Sequence, residues 1–229
     1  MAVNSQTIFT VVFDLDGTMV DTAGDLARAL NRCLSRHDIP TIATEDVRPF
    51  VGRGARAMIL SALEAYDIQH DDQTITELLK SFLAHYADEL CIESAPYPGL
   101  LTLLNRLHAD GLKLAVCTNK PEGLSKPLMK ALALDGFFSA HFGGDSLPFR
   151  KPDPRHILAC ISEVGGHPSS AIMIGDSAPD IEAARAAKVP SVVMSHGYSV
   201  DPVETLGADY LCHHLDEVFP VIQKYLGLR

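Results

Sequence analysis

The sequence predicts an α/β fold, in which a doubly wound, mainly parallel sheet is interrupted by an all-helical insertion. From residue 100 onwards, short β-rich runs alternate with amphipathic helical stretches, which is typical of parallel strands joined by helices. Residues 20–94 instead show helical periodicity without a strand signal. We therefore expect a core of residues 1–19 and 95–229, with an inserted helical domain of residues 20–94.

The first strand is expected at residues 8–13, a run of β-branched and aromatic residues that is too short for a typical helix. Asp14, Asp16 and Gly17 follow this run directly. An ionised carboxylate that is removed from water without a partner costs several kcal/mol. Two carboxylates at the carboxyl end of a strand can instead share a cation, and this is our interpretation of Asp14 and Asp16.

The insertion is predicted to contain three main helices. The first begins after Asp21, where Thr22 and Asp25 have the spacing of a capping box. The second follows a glycine-containing turn at residues 51–56, and the third covers residues 74–90.

The remaining chain is predicted to add five strands and five helices in alternation. The expected strands lie at residues 112–117, 141–142, 171–174, 191–194 and, more weakly, 209–211 in addition to the first strand. The expected helices lie at residues 100–109, 122–132 and 180–187, after residues 150–154, and from residue 215.

Composition narrows the class of protein. The 229 residues carry a formal net charge of −10, which argues against binding to nucleic acid or to an anionic membrane surface. The five cysteines are scattered without metal-ligand spacing, which favours a reducing cytoplasm. Residues 1–7 lack the basic start of a signal peptide, and no apolar run reaches membrane-spanning length. Monomer and homodimer both remain open.

Polar residues that follow separate predicted strands are expected to meet in space. In doubly wound folds, ligands bind outside the carboxyl ends of the strands, where the strand order changes direction. The residues that occupy such positions, or the start of a nearby helix, are Asp14, Asp16, Thr118, Asn119, Lys151 and Asp176. Three carboxylates, a hydroxyl-amide pair and a lysine are suited to handling a phosphoryl group together with Mg²⁺.

The charges explain why each part of this set is needed. A carboxylate that approaches a phosphate is repelled by about 4 kcal/mol per pair of unit charges at 4 Å and an effective dielectric constant of about 20. Mg²⁺ offsets this repulsion, while Lys151 and Thr118 supply further positive charge and hydrogen bonds. Asp14 is then the candidate nucleophile for an aspartyl-phosphate, and Asp16 the candidate general acid and base.

Four segments resemble the signature motifs of the haloacid dehalogenase-like superfamily: Asp14-Leu15-Asp16-Gly17-Thr18, Thr118-Asn119, Lys151-Pro152, and Gly175-Asp176-Ser177-Ala178-Pro179-Asp180. The resemblance covers almost the whole chain and implies a Rossmann-like core with residues 20–94 as a cap domain. It implies that Asp14 is the nucleophile, that Asp16 is the acid/base, and that Thr118 and Lys151 bind phosphate. It also implies Mg²⁺ held by Asp14, the backbone carbonyl of Asp16, and Asp176, with Asp180 in support.

Within that superfamily, the sequence is most similar to the bacterial phosphoglycolate phosphatases, through residues 51–56, 118–121, 143–145, 190–192 and 197–198. The similarity implies 2-phosphoglycolate as the substrate, with Asn119 also at the substrate site. Because this substrate carries a carboxylate, Arg53 or Arg56 in the turn of residues 51–56 is a hypothetical partner for it. For each arginine taken individually, a solvated surface position is favoured over a contact with the substrate.

Other functions remain open. A different sugar-phosphate phosphatase, or a phosphomutase similar to β-phosphoglucomutase, would keep all four motifs. A catalytically silent binding module is the alternative from another class, because a fold alone does not prove activity. Asp16 argues against a dehalogenase, since that chemistry needs no acid/base at this position. Asn119 is also compatible with a helix cap, and Asp180 with a purely structural role.

Overall fold

A computed structural model describes residues 7–227. Their strands are β1 (Thr10–Phe13), β2 (Val20–Asp21), β3 (Ala95–Pro96), β4 (Lys113–Cys117), β5 (Ala140–Phe142), β6 (Ala171–Gly175), β7 (Ser191–Met194) and β8 (Tyr210–Cys212). A six-stranded sheet has the order β5-β4-β1-β6-β7-β8, and a second sheet pairs β2 with β3. All neighbouring strands in the large sheet are parallel, which confirms the expected fold class.

Helices connect these strands. In chain order they are α1 (Ala23–Ser35), α2 (Thr44–Val47), α3 (Ala55–Ala65), α4 (Asp72–Asp88), α5 (Leu100–Ala109), α6 (Glu122–Ala131), α7 (Pro154–Glu163), α8 (Ala178–Ala187) and α9 (Val218–Leu226). No helix among the described residues combines the length and the apolar character that crossing a membrane requires.

Strand β1 occupies the centre of the large sheet and aligns with both of its neighbours. Phe13 is the register partner of Val116 on β4 and of Ile174 on β6. The carboxyl ends of these three strands therefore lie side by side, and the chain leaves them at Asp14, Thr118 and Asp176. This topology brings together residues that are more than 150 positions apart in the sequence.

Both faces of the sheet are covered, as a doubly wound fold requires. Val11 and Phe13 face a hydrophobic cluster that includes side chains of α5 and α9. Val12 points to the opposite face and belongs to a cluster with residues of α7 and α8. All four residues of β1 are completely buried, so the loop that follows the strand starts from a fixed position.

Helices α1 to α4 form the insertion (residues 20–94) and share a hydrophobic cluster of their own. Leu30, Leu63 and Phe82 belong to that cluster, and Tyr198 joins it from the loop after β7. The insertion begins with strand β2, whereas the sequence predicted no strand there. This strand exists because Val20 and Asp21 pair with the returning segment, β3, which lies at the other end of the insertion in the sequence.

The capping box predicted at Thr22 and Asp25 was wrong. Thr22 does occupy the N-cap position of α1, but its side chain makes no capping hydrogen bond there. Its hydroxyl instead donates to Asp16, and the Asp25 carboxylate accepts backbone N–H groups of residues 92–94. Both side chains therefore bind groups outside the first turn of α1, and the spacing of Thr22 and Asp25 alone does not reveal this.

Most other differences concern element boundaries. Strand β1 begins at Thr10, two residues later than expected, and α4 begins at Asp72, where the Asp71 side chain caps it. The short helix α2 was not predicted. Helix α5 and strand β7 have the expected bounds.

Candidate active site

A cavity of about 60 Å³ lies between the insertion and the carboxyl ends of the central strands. The insertion contributes mainly apolar walls, including Leu26, Met58 and Phe82. The core contributes the polar groups. Those predicted from the sequence that line the cavity are Asp14, Asp16, Thr118, Asn119, Lys151 and Asp180.

The loop after β1 is shaped by close contacts that require glycine. The backbone N–H of Asp14 donates to the carbonyl of Ile174 at 2.9 Å, which continues the β1–β6 pairing. Gly17 has φ +83°, and a Cβ atom there would lie 2.5 Å from Asp176 Oδ2. Only glycine combines this conformation with this approach at low cost. Gly17 therefore allows the loop after β1 to pack closely against the loop after β6.

Three buried aspartates form an acidic cluster, defined here as Asp14, Asp176 and Asp180. One carboxylate oxygen from each lies within 4.8 Å of the others. Burial, together with the neighbouring carboxylates and against the effect of Lys151, raises the pKa of Asp14 to about 7. Burial and the charges of Asp180 and Asp14 raise the pKa of Asp176 well above its usual value. A site of oxygen donors that repel one another suits a hard divalent cation such as Mg²⁺.

Among the described residues, Lys151 is the cation that forms ion pairs with the acidic cluster. Its ammonium lies 2.7 Å from Asp14 Oδ1 and 2.6 Å from Asp180 Oδ1, and the residue is 3% exposed. Burial alone would lower the pKa of Lys151, but the two carboxylates raise it above its usual value. Lys151 therefore stays charged and fixes the positions of both aspartates.

Asp176 and Asp180 are oriented by further hydrogen bonds. Asp176 accepts from Thr18 Oγ1 at 3.1 Å and from the backbone N–H of Tyr198 at 2.6 Å. Asp180 Oδ2 accepts from the backbone N–H and the hydroxyl of Ser177, which forms a capping box at the start of α8. Its other oxygen contacts Lys151. Asp180 is thus both a helix-capping residue and a member of the polar site.

Asp16 lies beside this cluster and is held at one oxygen. Its Oδ1 atom accepts hydrogen bonds from Thr22 Oγ1 at 2.6 Å and from Lys120 Nζ at 2.8 Å. The sequence had assigned no role to Lys120. Its signal was weak, because a lysine three positions beyond a strand end is ordinarily solvated, whereas this one is 8% exposed.

Thr118 and Asn119 occupy the end of β4. The backbone N–H of Thr118 donates to the carbonyl of Phe142, and the residue is 1% exposed. Asn119 Nδ2 donates to the carbonyl of Lys151 at 3.0 Å and to that of Gly52 at 3.4 Å. Asn119 makes no helix cap, because the N-cap position of α6 is Pro121. Its amide instead links the lysine loop to the turn of residues 51–56.

The structure does not bring Arg53 and Arg56 to the cavity. Gly52 and Gly54 of the same turn line it, but both arginines are exposed. Arg56 donates to Asp72 on the surface of the insertion at 3.2 Å, while Arg53 lines a separate groove. The backbone direction of the turn decides this outcome, and the residue types alone do not reveal it.

A fold of this topology, with these motifs at the carboxyl ends of its strands, defines a family of hydrolases. The family model for haloacid dehalogenase-like hydrolases matches residues 11–194. The chain therefore belongs to the haloacid dehalogenase-like hydrolase family, which confirms the resemblance and the expectation of an enzyme.

Individual proteins with similar sequences or structures are found within this family. The chain is 46% identical over 209 residues to a phosphoglycolate phosphatase of Caulobacter vibrioides, covering 91% of this chain and 88% of that protein. It is 41% identical over 215 residues to a phosphoglycolate phosphatase of Agrobacterium fabrum, covering 94% and 92%. A crystal structure from Haemophilus somnus, described as a predicted phosphoglycolate phosphatase, matches 96% of this chain and 100% of its own at a TM-score of 0.89 and 29% identity.

Proposed function

We propose that this protein is a Mg²⁺-dependent phosphomonoester hydrolase that acts on 2-phosphoglycolate through an aspartyl-phosphate intermediate. The observation that carries the proposal is the contact of one buried ammonium, that of Lys151, with both Asp14 and Asp180 beside Asp176. This arrangement provides a nucleophile, a positive charge for phosphate and a set of oxygen donors for a cation within one small volume.

The donor set fits Mg²⁺, because the acidic cluster offers carboxylate oxygens and no sulfur or nitrogen ligand. Asp14, the backbone carbonyl of Asp16, and Asp176 are the proposed ligands, and Asp180 supports them. When bound, Mg²⁺ would neutralise the repulsion between the nucleophile and the phosphate and stabilise charge on the phosphoryl group.

The first half-reaction uses Asp14 and Asp16. A carboxylate oxygen of Asp14 attacks phosphorus, and the bond between phosphorus and the ester oxygen breaks. Asp16 donates a proton to that ester oxygen, so that glycolate leaves as an alcohol. Because Thr22 and Lys120 bind Oδ1 of Asp16, the Oδ2 atom is the one proposed to carry the proton.

The second half-reaction returns the enzyme to its starting state. Asp16, now ionised, accepts a proton from water, and the water oxygen attacks the phosphorus of the aspartyl-phosphate. The acyl-phosphate bond breaks, which releases inorganic phosphate and regenerates the Asp14 carboxylate. Thr118 and Lys151 are proposed to bind the phosphoryl oxygens in both steps, and Asn119 is proposed to hold the Lys151 backbone at the substrate site.

The insertion is proposed to act as a cap domain. Residues 20–94 form the cap in this proposal, and residues 1–19 with 95–229 form the catalytic core, although residues 1–6 and 228–229 lie outside the described part of the chain. The cap supplies much of the apolar wall of the cavity, so its closure would exclude water during the first half-reaction.

The choice of substrate is supported by the names of the relatives. The Caulobacter and Agrobacterium proteins are both named phosphoglycolate phosphatases. A cytoplasmic enzyme without nucleic-acid or membrane partners is proposed, on the basis of the net charge of −10 and five free cysteines.

The test is a comparison of substrates with product analysis. The protein is expected to release inorganic phosphate from 2-phosphoglycolate in the presence of Mg²⁺ and to lose this activity on addition of EDTA. Conversion of β-glucose 1-phosphate into an isomeric sugar phosphate would instead indicate a phosphomutase. Preference for other sugar phosphates would indicate a different phosphatase, and no turnover of any phosphomonoester would indicate a binding module.

A further inference from the structure

Lys120 is a buried lysine whose hydrogen-bonding capacity is only partly used. It lies just beyond β4, its side chain is 5% exposed, and it lines the cavity. An ammonium group has three N–H donors. Among the described residues, the side chain of Lys120 has one hydrogen-bond acceptor, Asp16 Oδ1, at 2.8 Å.

The cap fixes the position of this ammonium. Lys120 Nζ lies 4.5 Å from the centroid of the Tyr86 ring, which is a cation–π contact. The Tyr86 ring is itself stacked on Phe82, with 6.0 Å between the ring centroids. A cation that is held on one side by Asp16 and on another by an aromatic ring is in place before a ligand arrives, so little ordering is needed on binding.

A second polar group at the same place lacks an acceptor. The Tyr86 hydroxyl is buried beside the Lys120 ammonium and donates its proton to no described residue. Burial raises the pKa of Tyr86 to about 12, so this hydroxyl keeps its proton at neutral pH. Buried donors without acceptors are uncommon in folded proteins and indicate a ligand or water.

No other described residue that lines the cavity supplies an ammonium group beside Asp16. Among the described residues that line the cavity, only Lys120 and Lys151 are cationic. Lys151 is already shared by two carboxylates, and it lies beside the proposed nucleophile. Lys120 instead contacts Asp16, the residue proposed to protonate the ester oxygen. A substrate group that reaches Lys120 must therefore lie close to that ester oxygen.

We propose that Lys120 binds a carboxylate of the substrate that is separated from the phosphate ester oxygen by one carbon atom. This inference rests on the proposed function and extends it, because it assigns the residue that selects the carboxylate. 2-Phosphoglycolate has this spacing. Lys120 donates to the substrate with N–H groups that Asp16 does not use, so binding of the substrate does not require the Lys120–Asp16 contact to break.

The experiment compares two substrates that differ only at the carboxylate. 2-Hydroxyethyl phosphate replaces the carboxylate of 2-phosphoglycolate with a hydroxymethyl group. The measured quantity is the ratio of kcat/KM for these two substrates, in wild type and in Lys120→Gln. Any loss that arises through Asp16 affects both substrates and cancels in the ratio, whereas lost recognition of the carboxylate does not.

We expect Lys120→Gln to lower this ratio at least about 30-fold, mainly through a higher KM for 2-phosphoglycolate, as for the loss of a hydrogen bond to a charged group. Lys120→Arg should restore part of it. Lys126→Met is the matched control, because Lys126 is an exposed lysine of α6 that pairs with Glu122, and the ratio should stay within about 2-fold of wild type.

A binding measurement covers the case in which turnover is too slow to compare. With Mg²⁺ present, wild type should bind the non-hydrolysable 3-phosphonopropionate more tightly than propylphosphonate, and Lys120→Gln should lose that difference. Lys120→Met gives the same comparison if circular dichroism shows that the glutamine variant is unfolded.

Two results overturn the inference and are distinguishable from failure of the proposed function. Equal losses on both substrates in Lys120→Gln would remove the role in recognition, while the phosphatase activity of wild type would stand. A wild-type ratio near one would remove the carboxylate preference and with it the proposed substrate. Absence of phosphate release from every phosphomonoester would instead refute the proposed function itself.

Discussion

The hydroxyl of Tyr198 accepts a hydrogen bond from the backbone N–H of Thr22, 2.8 Å away, and thereby connects the loop after β7 to the start of α1. The same hydroxyl accepts from the backbone N–H of Ala23 and donates to Asp21 Oδ1 at 2.6 Å. Since the side chain of Thr22 is bound to Asp16, Tyr198 from the loop after β7 supplies the N-terminal acceptor of the first helix of the insertion.

Removing this hydroxyl tests its structural contribution. Tyr198→Phe retains the ring but leaves the N–H group of Thr22 without its acceptor and removes a donor to Asp21 Oδ1, whereas the N–H group of Ala23 keeps Asp21 Oδ1 at 3.2 Å. We expect the free energy of unfolding to fall by about 1 to 3 kcal/mol, as for buried polar groups left unpaired. Urea unfolding measures this change, and Tyr210→Phe on β8 is the control. Equal effects of the two substitutions would contradict the assignment.

Asp25 connects the two ends of the insertion. Its buried carboxylate accepts the backbone N–H groups of Ile92, Glu93 and Ser94 and the hydroxyl of Ser94. Asp25→Asn replaces an acceptor with an N–H₂ group that faces these donors, so we expect a loss of about 2 to 4 kcal/mol in unfolding free energy.

Thermal and urea unfolding check this loss, with the exposed Asp88→Asn on α4 as the control. A change below about 0.5 kcal/mol for Asp25→Asn, the range of ordinary surface substitutions, would show that water replaces the carboxylate at little cost.

We predict that His141 contributes to the loss of folding stability at acid pH. Burial, assisted by the nearby Lys126 and opposed by Glu122, lowers the pKa of His141 from 6.5 to about 4. The unfolded chain therefore binds a proton at a higher pH than the folded protein does. The stability contribution of neutral His141 is present above pH 6.5 and is lost as the pH falls from about 6.5 towards 4.

Replacing this ring should flatten the profile. His141→Gln should lose about 1 to 2 kcal/mol less stability than wild type between pH 7 and pH 4, because the half-buried ring is partly screened by solvent. His108→Gln, at an exposed position of α5, should follow the wild-type profile. Parallel profiles for wild type and His141→Gln would contradict the assignment.

Gly197 packs closely against Asp176, and we predict that this contact affects the affinity for Mg²⁺. A Cβ atom at this position would lie 2.2 Å from Asp176 Cβ and 2.3 Å from Asp176 Oδ2, so an alanine must displace that carboxylate. We expect Gly197→Ala to raise the Mg²⁺ concentration needed for half-maximal activity at least about 10-fold, as for disturbed support of a metal ligand.

The control for this prediction is Gly136→Ala, where an added Cβ would meet no atom within 4 Å. Isothermal titration with Mg²⁺ provides a readout that does not depend on turnover. An unchanged Mg²⁺ affinity in Gly197→Ala would show that Asp176 is not part of the cation site or tolerates the displacement.

The sequence predicted the site best where a polar residue directly follows a strand. Asp14, Thr118 and Asp176 each follow a β-rich run, and the alternation of strands and helices predicts parallel strands whose carboxyl ends share an edge. The alternation of strands and helices therefore predicts the topology, and the topology places these three residues beside one another.

The contributions of Lys120 and Tyr198 depend on partners that no local pattern specifies. The partner of Lys120 is Asp16, 104 residues away, and the Tyr198 hydroxyl binds the start of α1 from across the fold. For Arg53, the residue type suggested an anion partner, but the direction of the glycine-containing turn decides which groups face the cavity. These features require the three-dimensional arrangement.

The central claim is that Asp14 accepts the phosphoryl group, and trapping the intermediate tests it most directly. Borohydride reduces an aspartyl-phosphate to homoserine, which peptide mass spectrometry identifies at a single position. After a rapid quench during turnover of 2-phosphoglycolate with Mg²⁺, we expect homoserine at position 14 and only in the presence of substrate. Active turnover without modification of Asp14, or with modification of a different carboxylate, would contradict the account.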